Sequence, residues 1–212
     1  GHKGIAVHEV TVRGHAAHSS LVDHGISANA VAIGLMHDLL ALAEDLRARA
    51  DADNGFDPPQ ATLTVGIMEG GTASNILAEH ARFQFDLRCP PGEDAAAILA
   101  PFKARCAELD AQLKRRFPEA GVRVEQHAST PPMTPAGSED AVAFVRALTG
   151  ENAAPGQVAF AAEGAQFQAA GFPTVICGPG SIEQAHQPDE WIALSELEKG
   201  AAFMARLADR LG

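Results

Sequence analysis

The feature that most constrains the fold is the order of two hydrophobic periodicities over residues 5–126. Two segments carry apolar residues at helical spacing, and their stripes are Val31, Leu35, Leu39, Leu42, Leu46 and Ile98, Phe102, Cys106, Leu109, Leu113, Phe117. Segments typical of strands lie at 5–12, 61–67, 81–88 and 122–126. The order β-α-β-β-α-β predicts a ferredoxin-like α+β domain, with a four-stranded antiparallel sheet and two helices on one face.

A proline-rich link, "STPPMTPAGS" at 129–138, predicts a domain boundary. Beyond it the pattern predicts helices at about 138–149 and 164–170, strands near 157–161 and at 173–177, and a final helix. Ser195 and Glu198 predict a capping box at the start of that helix. The alternation indicates an α/β fold, but two strands are too few for a complete sheet. We therefore expect 129–212 to be an incomplete α/β domain.

Composition narrows the class of partner and compartment. The 212 residues carry a formal net charge of −11, which argues against nucleic acid as a partner. No apolar stretch approaches the length of a membrane span, so we expect no membrane partner and a cytoplasmic location. The three cysteines form no C-x-x-C pair and are expected to be small buried hydrophobes. "GHKGIAVHEVTVRG" enters a strand pattern at once without methionine, and we expect a chain cut from a longer one.

The loop "GPGSIEQAHQPDEW" at 178–191 follows an apolar run and carries His186. The ends of strands in α/β domains are where sites lie, and a neutral imidazole can ligate a metal. His186 is therefore a candidate metal ligand, although an exposed histidine in a turn fits the same pattern. "RGHAAHSS" at 13–20 offers His15 and His18, which a polar turn would equally explain. No acidic residue nearby supports a serine nucleophile.

Three further polar residues stand at element ends. Asn75 lies in "GGTASNI", which is either a long hairpin loop or a place for an amide to meet a ligand. Arg88 ends "FQFDLR" on the face opposite the phenylalanines, where it is either a solvated charge or a fork for a carboxylate. Glu163 follows a predicted strand and could be an acid favoured by a helix start.

Several motifs together resemble the two-zinc aminoacylase/carboxypeptidase family of metallopeptidases. "GHAAHSS", "GGTASNI", "FDLRCPPG", "AEGAQFQAAGFPTVICGPGS" and "QAHQPDEW" occur in the family's order, and "GPGSIEQAHQPDE" is typical of its deacetylase branch. The resemblance implies a zinc-hydrolase α/β domain interrupted by a βαββαβ lid that dimerises. It assigns 4–128 to the lid and 129–212 to the C-terminal portion of the catalytic domain.

The resemblance also implies roles for single residues. His186 would be a ligand of a pair of zinc ions, with cobalt as a possible substitute. His18 would be the lid histidine that reaches the partner subunit's site, with His15 as the alternative. Asn75 and Arg88 would bind the substrate's carboxylate, and Glu163 its amino end.

One departure limits what the chain can do by itself. The family's H-x-D motif and Glu-Glu pair are absent, and one histidine cannot build a two-metal centre. The resemblance therefore implies metal-dependent hydrolysis of the acetyl amide of an N-acyl amino acid by a longer enzyme, a homodimer through its lid. This chain alone is expected to be inactive. The alternatives are a sibling desuccinylase or dipeptidase, or a non-catalytic dimerisation or ligand-binding module.

Overall fold

A computed structural model describes residues 1–185 and 187–212. The strands are β1 (Gly4–Arg13), β2 (Thr62–Gly70), β3 (His80–Cys89) and β4 (Gly121–Thr130), and the α-helices are α1 (Ala28–Ala48), α2 (Ala95–Arg116), α3 (Glu139–Thr149), α4 (Gly164–Ala169) and α5 (Leu194–Leu211). The described residues divide into two compact units. Unit 1 contains Gly1–Met133 and Gln157–Ala162, and unit 2 contains Thr134–Gly156 and Glu163–Gly212.

Unit 1 is built on one antiparallel sheet with the strand order β2-β3-β1-β4. Strand β1 pairs with β3 from Gly4 opposite Cys89 to Arg13 opposite His80. The central position of β1 and β3, with a helix after β1 and another after β3, is the predicted β-α-β-β-α-β arrangement.

The core of unit 1 lies between the sheet and its two helices. Along β3, Phe83, Phe85 and Leu87 are almost completely buried, as the alternation predicted. Leu35 and Leu39 of α1 and Leu99, Phe102 and Cys106 of α2 pack into the same cluster. Both helices begin at a side-chain cap, since Ser27 accepts a hydrogen bond from the Ala30 amide and Asp94 from the Ala96 amide. Local periodicity therefore predicted both faces of this core.

The chain beyond residue 130 departs from the predicted pattern. The predicted strands at 157–161 and 173–177 do not form, although all of these residues are described. Val158, which belongs to unit 1, makes only an isolated bridge, with His2 of the same unit, and the segment 173–177 of unit 2 is irregular. A strand needs a neighbouring strand to accept its backbone hydrogen bonds, and among the described residues these two segments make no backbone–backbone bonds of that kind beyond the bridge.

The predicted cap of the last helix is also wrong. Helix α5 starts at Leu194 with Ala193 as its N-cap, so Ser195 already lies within the first turn and makes no cap. A capping box forms instead at Ser181 and Gln184, around the short 3₁₀ turn Ile182–Gln184.

The cysteines are free and two of the three behave as predicted. Cys89 and Cys106 are buried, and burial raises the pKa of each thiol to about 12. Cys177 is exposed, so the expectation of burial is wrong for it, because the strand predicted to bury it does not form. None of the helices in the described part of the chain has the length and apolar character needed to cross a bilayer.

Candidate functional site

The loop that carries His18 joins β1 to α1 and runs beside the segment that carries Asn75. The Ser19 amide donates to the Asn75 carbonyl at 2.9 Å, and the Leu77 amide donates to the Ala17 carbonyl at 2.8 Å. His18 itself forms an isolated antiparallel bridge with Ile76. Two of the residues predicted from the sequence, His18 and Asn75, are therefore brought together at one end of the sheet, and both are exposed.

One ring nitrogen of His18 is engaged, and among the described residues the other has no hydrogen-bond partner. Its Nδ1 lies 2.8 Å from the Ser20 hydroxyl oxygen and 3.2 Å from the Ser20 amide nitrogen. A backbone N–H can only donate, so Nδ1 is the acceptor of that bond. In the neutral imidazole the proton then resides on Nε2. An exposed Nε2–H is a donor that a negatively charged oxygen can accept.

His15 is in a different environment three residues earlier. Its Nδ1 lies 2.7 Å from a carboxylate oxygen of Glu119, and its ring stacks on Phe117 with centroids 3.9 Å apart and planes 10° from parallel. The pKa of Glu119 is lowered by its own backbone N–H and, next, by the hydrogen bond from His15. The imidazole of His15 is thus engaged inside the unit, whereas that of His18 faces outward.

Arg88 lies at the opposite end of the sheet from His18 and Asn75. It pairs with Ile5 near the start of β1, whereas Arg13 at the end of β1 pairs with His80. Arg88 lies eight positions after His80 along β3, which is about 26 Å at the usual rise per residue. One small molecule cannot bridge that distance, so these groups of one subunit do not share a small ligand.

The guanidinium of Arg88 is held by its neighbour on the same face, Asp86. Its Nε lies 2.8 and 3.0 Å from the two carboxylate oxygens, and its Nη2 lies 2.8 Å from one of them. Both side chains are about one-third exposed. Asp86 therefore occupies the edge of the guanidinium formed by Nε and Nη2, and Nη1 can donate to another acceptor.

The remaining predicted residues lie in the second half of the chain. Glu163 is exposed and occupies the N-cap position of α4, without a side-chain capping hydrogen bond. His186 lies outside the described residues. Among the residues that are described, no three histidine, cysteine or acidic side chains gather closely enough to hold a metal ion. The described part of the chain therefore does not by itself fit the expected two-zinc centre.

Sequence reasoning missed a charged cluster on the open face of the sheet. Arg82 donates from Nε and Nη2 to the two oxygens of Glu69, both at 3.0 Å, and from Nη1 to Glu9 at 3.1 Å. The bonds to Glu69 and Glu9 raise the pKa of Arg82, and Arg82 lowers the pKa of Glu69. The pKa of Glu9 is lowered mainly by a hydrogen bond from the Gln84 side chain and, to a smaller extent, by Arg82. The alternation of side chains along β3 could have placed Arg82 on this face. Its partners Glu69 and Glu9 lie on the neighbouring strands β2 and β1, and only the register of strand pairing brings them next to Arg82.

This cluster borders a cavity of about 520 Å³ at the end of the sheet that carries His18. Glu69, Glu79 and Arg82 supply its charged lining, and His80 lies among them. Ala16 and Ile76, from the two loops that hold His18 and Asn75, close one side. The concave surface of unit 1 thus lies beside the two exposed candidate residues.

Comparisons with known proteins agree with this architecture. Residues 1–114 match the model of the M20 peptidase dimerisation domain. An acetylornithine deacetylase from Myxococcus xanthus is 31% identical over 211 residues, which are 96% of this chain and 52% of the relative. An acetylornithine deacetylase from Proteus mirabilis is 31% identical over 98% of this chain and 52% of its own length. The chain therefore spans about half the length of the curated relatives it matches.

Solved structures show the same fold at lower identity. Aminopeptidase PepT from Bacillus cereus superposes with a TM-score of 0.61 at 19% identity, over 97% of this chain and 51% of that one. A tripeptidase from Staphylococcus aureus gives a TM-score of 0.61 at 18% identity, with the same coverage. The likeness covers both units of the chain.

Proposed function

The chain belongs to the M20 family of peptidase dimerisation domains, and on that premise we propose that it is the lid and the C-terminal catalytic portion of an acetylornithine deacetylase. In the proposed assignment the lid spans 4–128 and the catalytic portion 129–212. The intact enzyme would hydrolyse the acetyl amide of N-acetylornithine to ornithine and acetate, a step of arginine biosynthesis, in the cytoplasm. The names of curated relatives that align with nearly the whole chain support this substrate.

The observation that carries the proposal is the pair formed by His18 and Asn75. His18 offers an Nε2–H to solvent beside an exposed amide side chain, and neither is buried by the unit that holds it. Hydrolysis of an amide develops negative charge on the carbonyl oxygen in the transition state, and a fixed donor stabilises that charge. His18 would supply such a donor to the partner subunit's site, and Asn75 would bind the substrate's carboxylate there. His15 is the less suitable donor because its Nδ1 and ring face are occupied.

Arg88 would bind the carboxylate of a substrate in a second site of the dimer. About 26 Å of strand separates it from the His18 end of the same sheet. If both groups act on one small substrate, they must come from different subunits. Glu163 would contact the substrate's amino end in the catalytic portion.

A homodimer is supported by the surface of unit 1. Strand β2 is an edge of the sheet, with Ile67 and Met68 exposed along its second half. Helix α1, which packs over β2, exposes Ile33 and Leu40 by more than half. An edge strand next to an apolar helix face can pair with a copy of itself across a two-fold axis. We propose this surface for the lid dimer.

Zinc remains part of the proposal, with His186 as one ligand and cobalt as a substitute. The described residues gather no set of three ligands, and the sequence lacks the H-x-D motif and the Glu-Glu pair that would supply the remaining ligands in the intact enzyme, so the chain alone would be inactive. A dimerisation or ligand-binding module without catalysis is the second candidate, favoured by that same observation. A desuccinylase or a peptidase would use the same arrangement on another substrate.

The test is subunit mixing in the full-length enzyme. Cells co-express tagged His18→Ala and Arg88→Ala subunits, and the mixture is assayed for deacetylation. If the two groups act across the dimer, each heterodimer has one complete site, and a random mixture recovers about a quarter of the wild-type rate. His18→Ala alone should lose about 10²–10³ in turnover, as expected for one oxyanion donor.

The matched control mixes His18→Ala with Asn75→Ala subunits. These residues lie at the same end of one subunit, so neither site of the heterodimer is complete and no activity returns. Two results contradict the assignment of His18 and Arg88 to different subunits of one site. One is equal recovery of activity in both mixtures, and the other is no recovery in verified heterodimers of the His18→Ala and Arg88→Ala subunits. Undiminished turnover of His18→Ala favours the non-catalytic module.

A further inference from the structure

The loop that presents His18 is closed at its base by a pair of residues. The His15 amide donates to the Ile26 carbonyl at 2.9 Å, and the Ile26 amide donates back to the His15 carbonyl at 2.9 Å. The two arms approach closely at glycines, because a Cβ on Gly14 would lie 2.2 Å from the Ile26 oxygen. One on Gly25 would lie 2.5 Å from the His15 oxygen. The close approach of the two arms therefore requires glycine at both positions.

The same base is anchored to the turn between α2 and β4 through the His15 side chain. The ring is held in its plane by the stack on Phe117 and in its rotation by the 2.7 Å hydrogen bond to Glu119. Because a carboxylate only accepts, Nδ1 of His15 carries the proton in this bond. A second contact from the same region reaches the second arm of the loop, where Arg116 donates to the Asp23 carbonyl.

We propose that His15 and Glu119 are positioning residues for His18, a role that rests on the proposed function of His18. His18 lies three residues from the anchored ring, at the exposed end of the loop. A displacement of about 1 Å in a group that meets the transition state can cost up to about 10²-fold in rate. The side chains of His15 and Glu119 are both 38% exposed, and an exposed ion pair contributes little to global stability. Loss of the anchor should thus change the loop rather than the fold.

The first experiment measures amide hydrogen exchange in the 212-residue chain. In Glu119→Ala, the Ser19 and Leu77 amides, which tie the His18 loop to the Asn75 segment, should exchange about ten-fold faster. Amides in the centre of β1 should keep their wild-type rates. Glu125→Ala is the matched control, because it removes another 2.7 Å ion pair of unit 1, with Arg123, away from the loop. Glu119→Gln keeps an acceptor for His15 and should restore slow exchange.

The second experiment measures turnover in the full-length enzyme. Glu119→Ala should lower kcat by about ten-fold with KM changed less than two-fold, since the lost precision acts on the transition state. Glu119→Gln should recover most of kcat, and Glu125→Ala should match the wild type. A purely structural role would instead speed exchange throughout β1, and that result overturns the inference.

The two proposals can fail separately. If His18→Ala slows turnover but Glu119→Ala alters neither turnover nor exchange at Ser19 and Leu77, the positioning role is wrong and the role of His18 stands. If His18→Ala leaves turnover unchanged, the proposed function is wrong and positioning for catalysis falls with it. Faster exchange at Ser19 and Leu77 would then show only that Glu119 anchors the loop.

Discussion

The helices of the two units bury their apolar residues to different extents. In unit 1, α1 and α2 lay their apolar stripes on a sheet, and Leu35, Leu39 and Phe83 are inaccessible to solvent. In unit 2, the 18-residue α5 has no buried residue, and Leu194 and Leu211 at its ends are about three-quarters exposed. An amphipathic helix is stabilised mainly by the surface it covers. The difference teaches that an amphipathic helix forms part of a core only where a sheet is present to cover its apolar face.

Unit 2 is held by polar contacts more than by apolar burial. Ser138, itself buried, accepts hydrogen bonds from the Thr174 amide at 3.1 Å and from the Gln168 side chain at 3.3 Å. Arg206 of α5 donates to the Leu148 carbonyl of α3 at 2.5 Å. Each such bond contributes about 1 kcal/mol net, far less than a continuous core. We therefore expect unit 2 to be the less stable unit of this chain.

The largest expected difference is in hydrogen exchange across the two units. Amides in the centre of β1 and β3 should exchange only through global unfolding, whereas those of α5 should exchange through local opening. The ratio of protection factors should be about 10³ or more, given a usual free energy of unfolding of about 5 kcal/mol or above for unit 1. Comparable protection of α5 in the monodisperse chain would show that unit 2 is as stable as unit 1.

The next largest effect comes from matched phenylalanine deletions. Phe83→Ala should lower the free energy of unfolding by about 3–5 kcal/mol, because Phe83 is completely buried and its removal leaves a cavity. Phe172→Ala, in unit 2 at 62% exposure, should change it by about 0.5 kcal/mol or less. Urea unfolding followed by circular dichroism measures both. A large loss for Phe172→Ala would reveal apolar packing in unit 2.

The smallest effect concerns pH and is confined to unit 1. His8 is 2% exposed and stacks on Phe85, and neither ring nitrogen has a hydrogen-bond partner among the described residues. Burial, and then the charge of Lys103, lower the pKa of His8. The unfolded chain therefore binds this proton more readily than the folded one. The contribution of neutral His8 to the free energy of unfolding is therefore fully present above the ordinary histidine pKa of about 6.5, and it is lost as the pH falls below that value.

Unfolding free energies between pH 7.5 and pH 5 test this sign. His8→Phe should flatten the decrease, which for one proton is at most about 1.4 kcal/mol per pH unit. The exposed His37 of α1 provides the control, and His37→Gln should leave the slope as in the wild type. A slope that His8→Phe does not alter would mean that His8 already finds a partner for its proton in the folded state.

The candidate site was predicted in part. "GHAAHSS" and "GGTASNI" identified His18 and Asn75 as candidates, and the alternation in "FQFDLR" placed Arg88 on the face opposite Phe83 and Phe85. The residues alone could not separate His15 from His18. The contacts that distinguish them come from Phe117 and Glu119, about 100 positions away. Equally, no local pattern shows that Asp86 already holds the guanidinium of Arg88.

The sequence by itself determined the order of elements over 5–126 and the face that each one buries, because both follow from spacings of two to four residues. Only the tertiary structure decided that the segments 157–161 and 173–177 are not strands, since pairing requires a neighbouring strand that the local pattern does not supply. It also decided that His18 and Asn75 meet at one end of the sheet and Arg88 lies at the other. That separation follows from antiparallel register, which aligns the end of β1 with the start of β3.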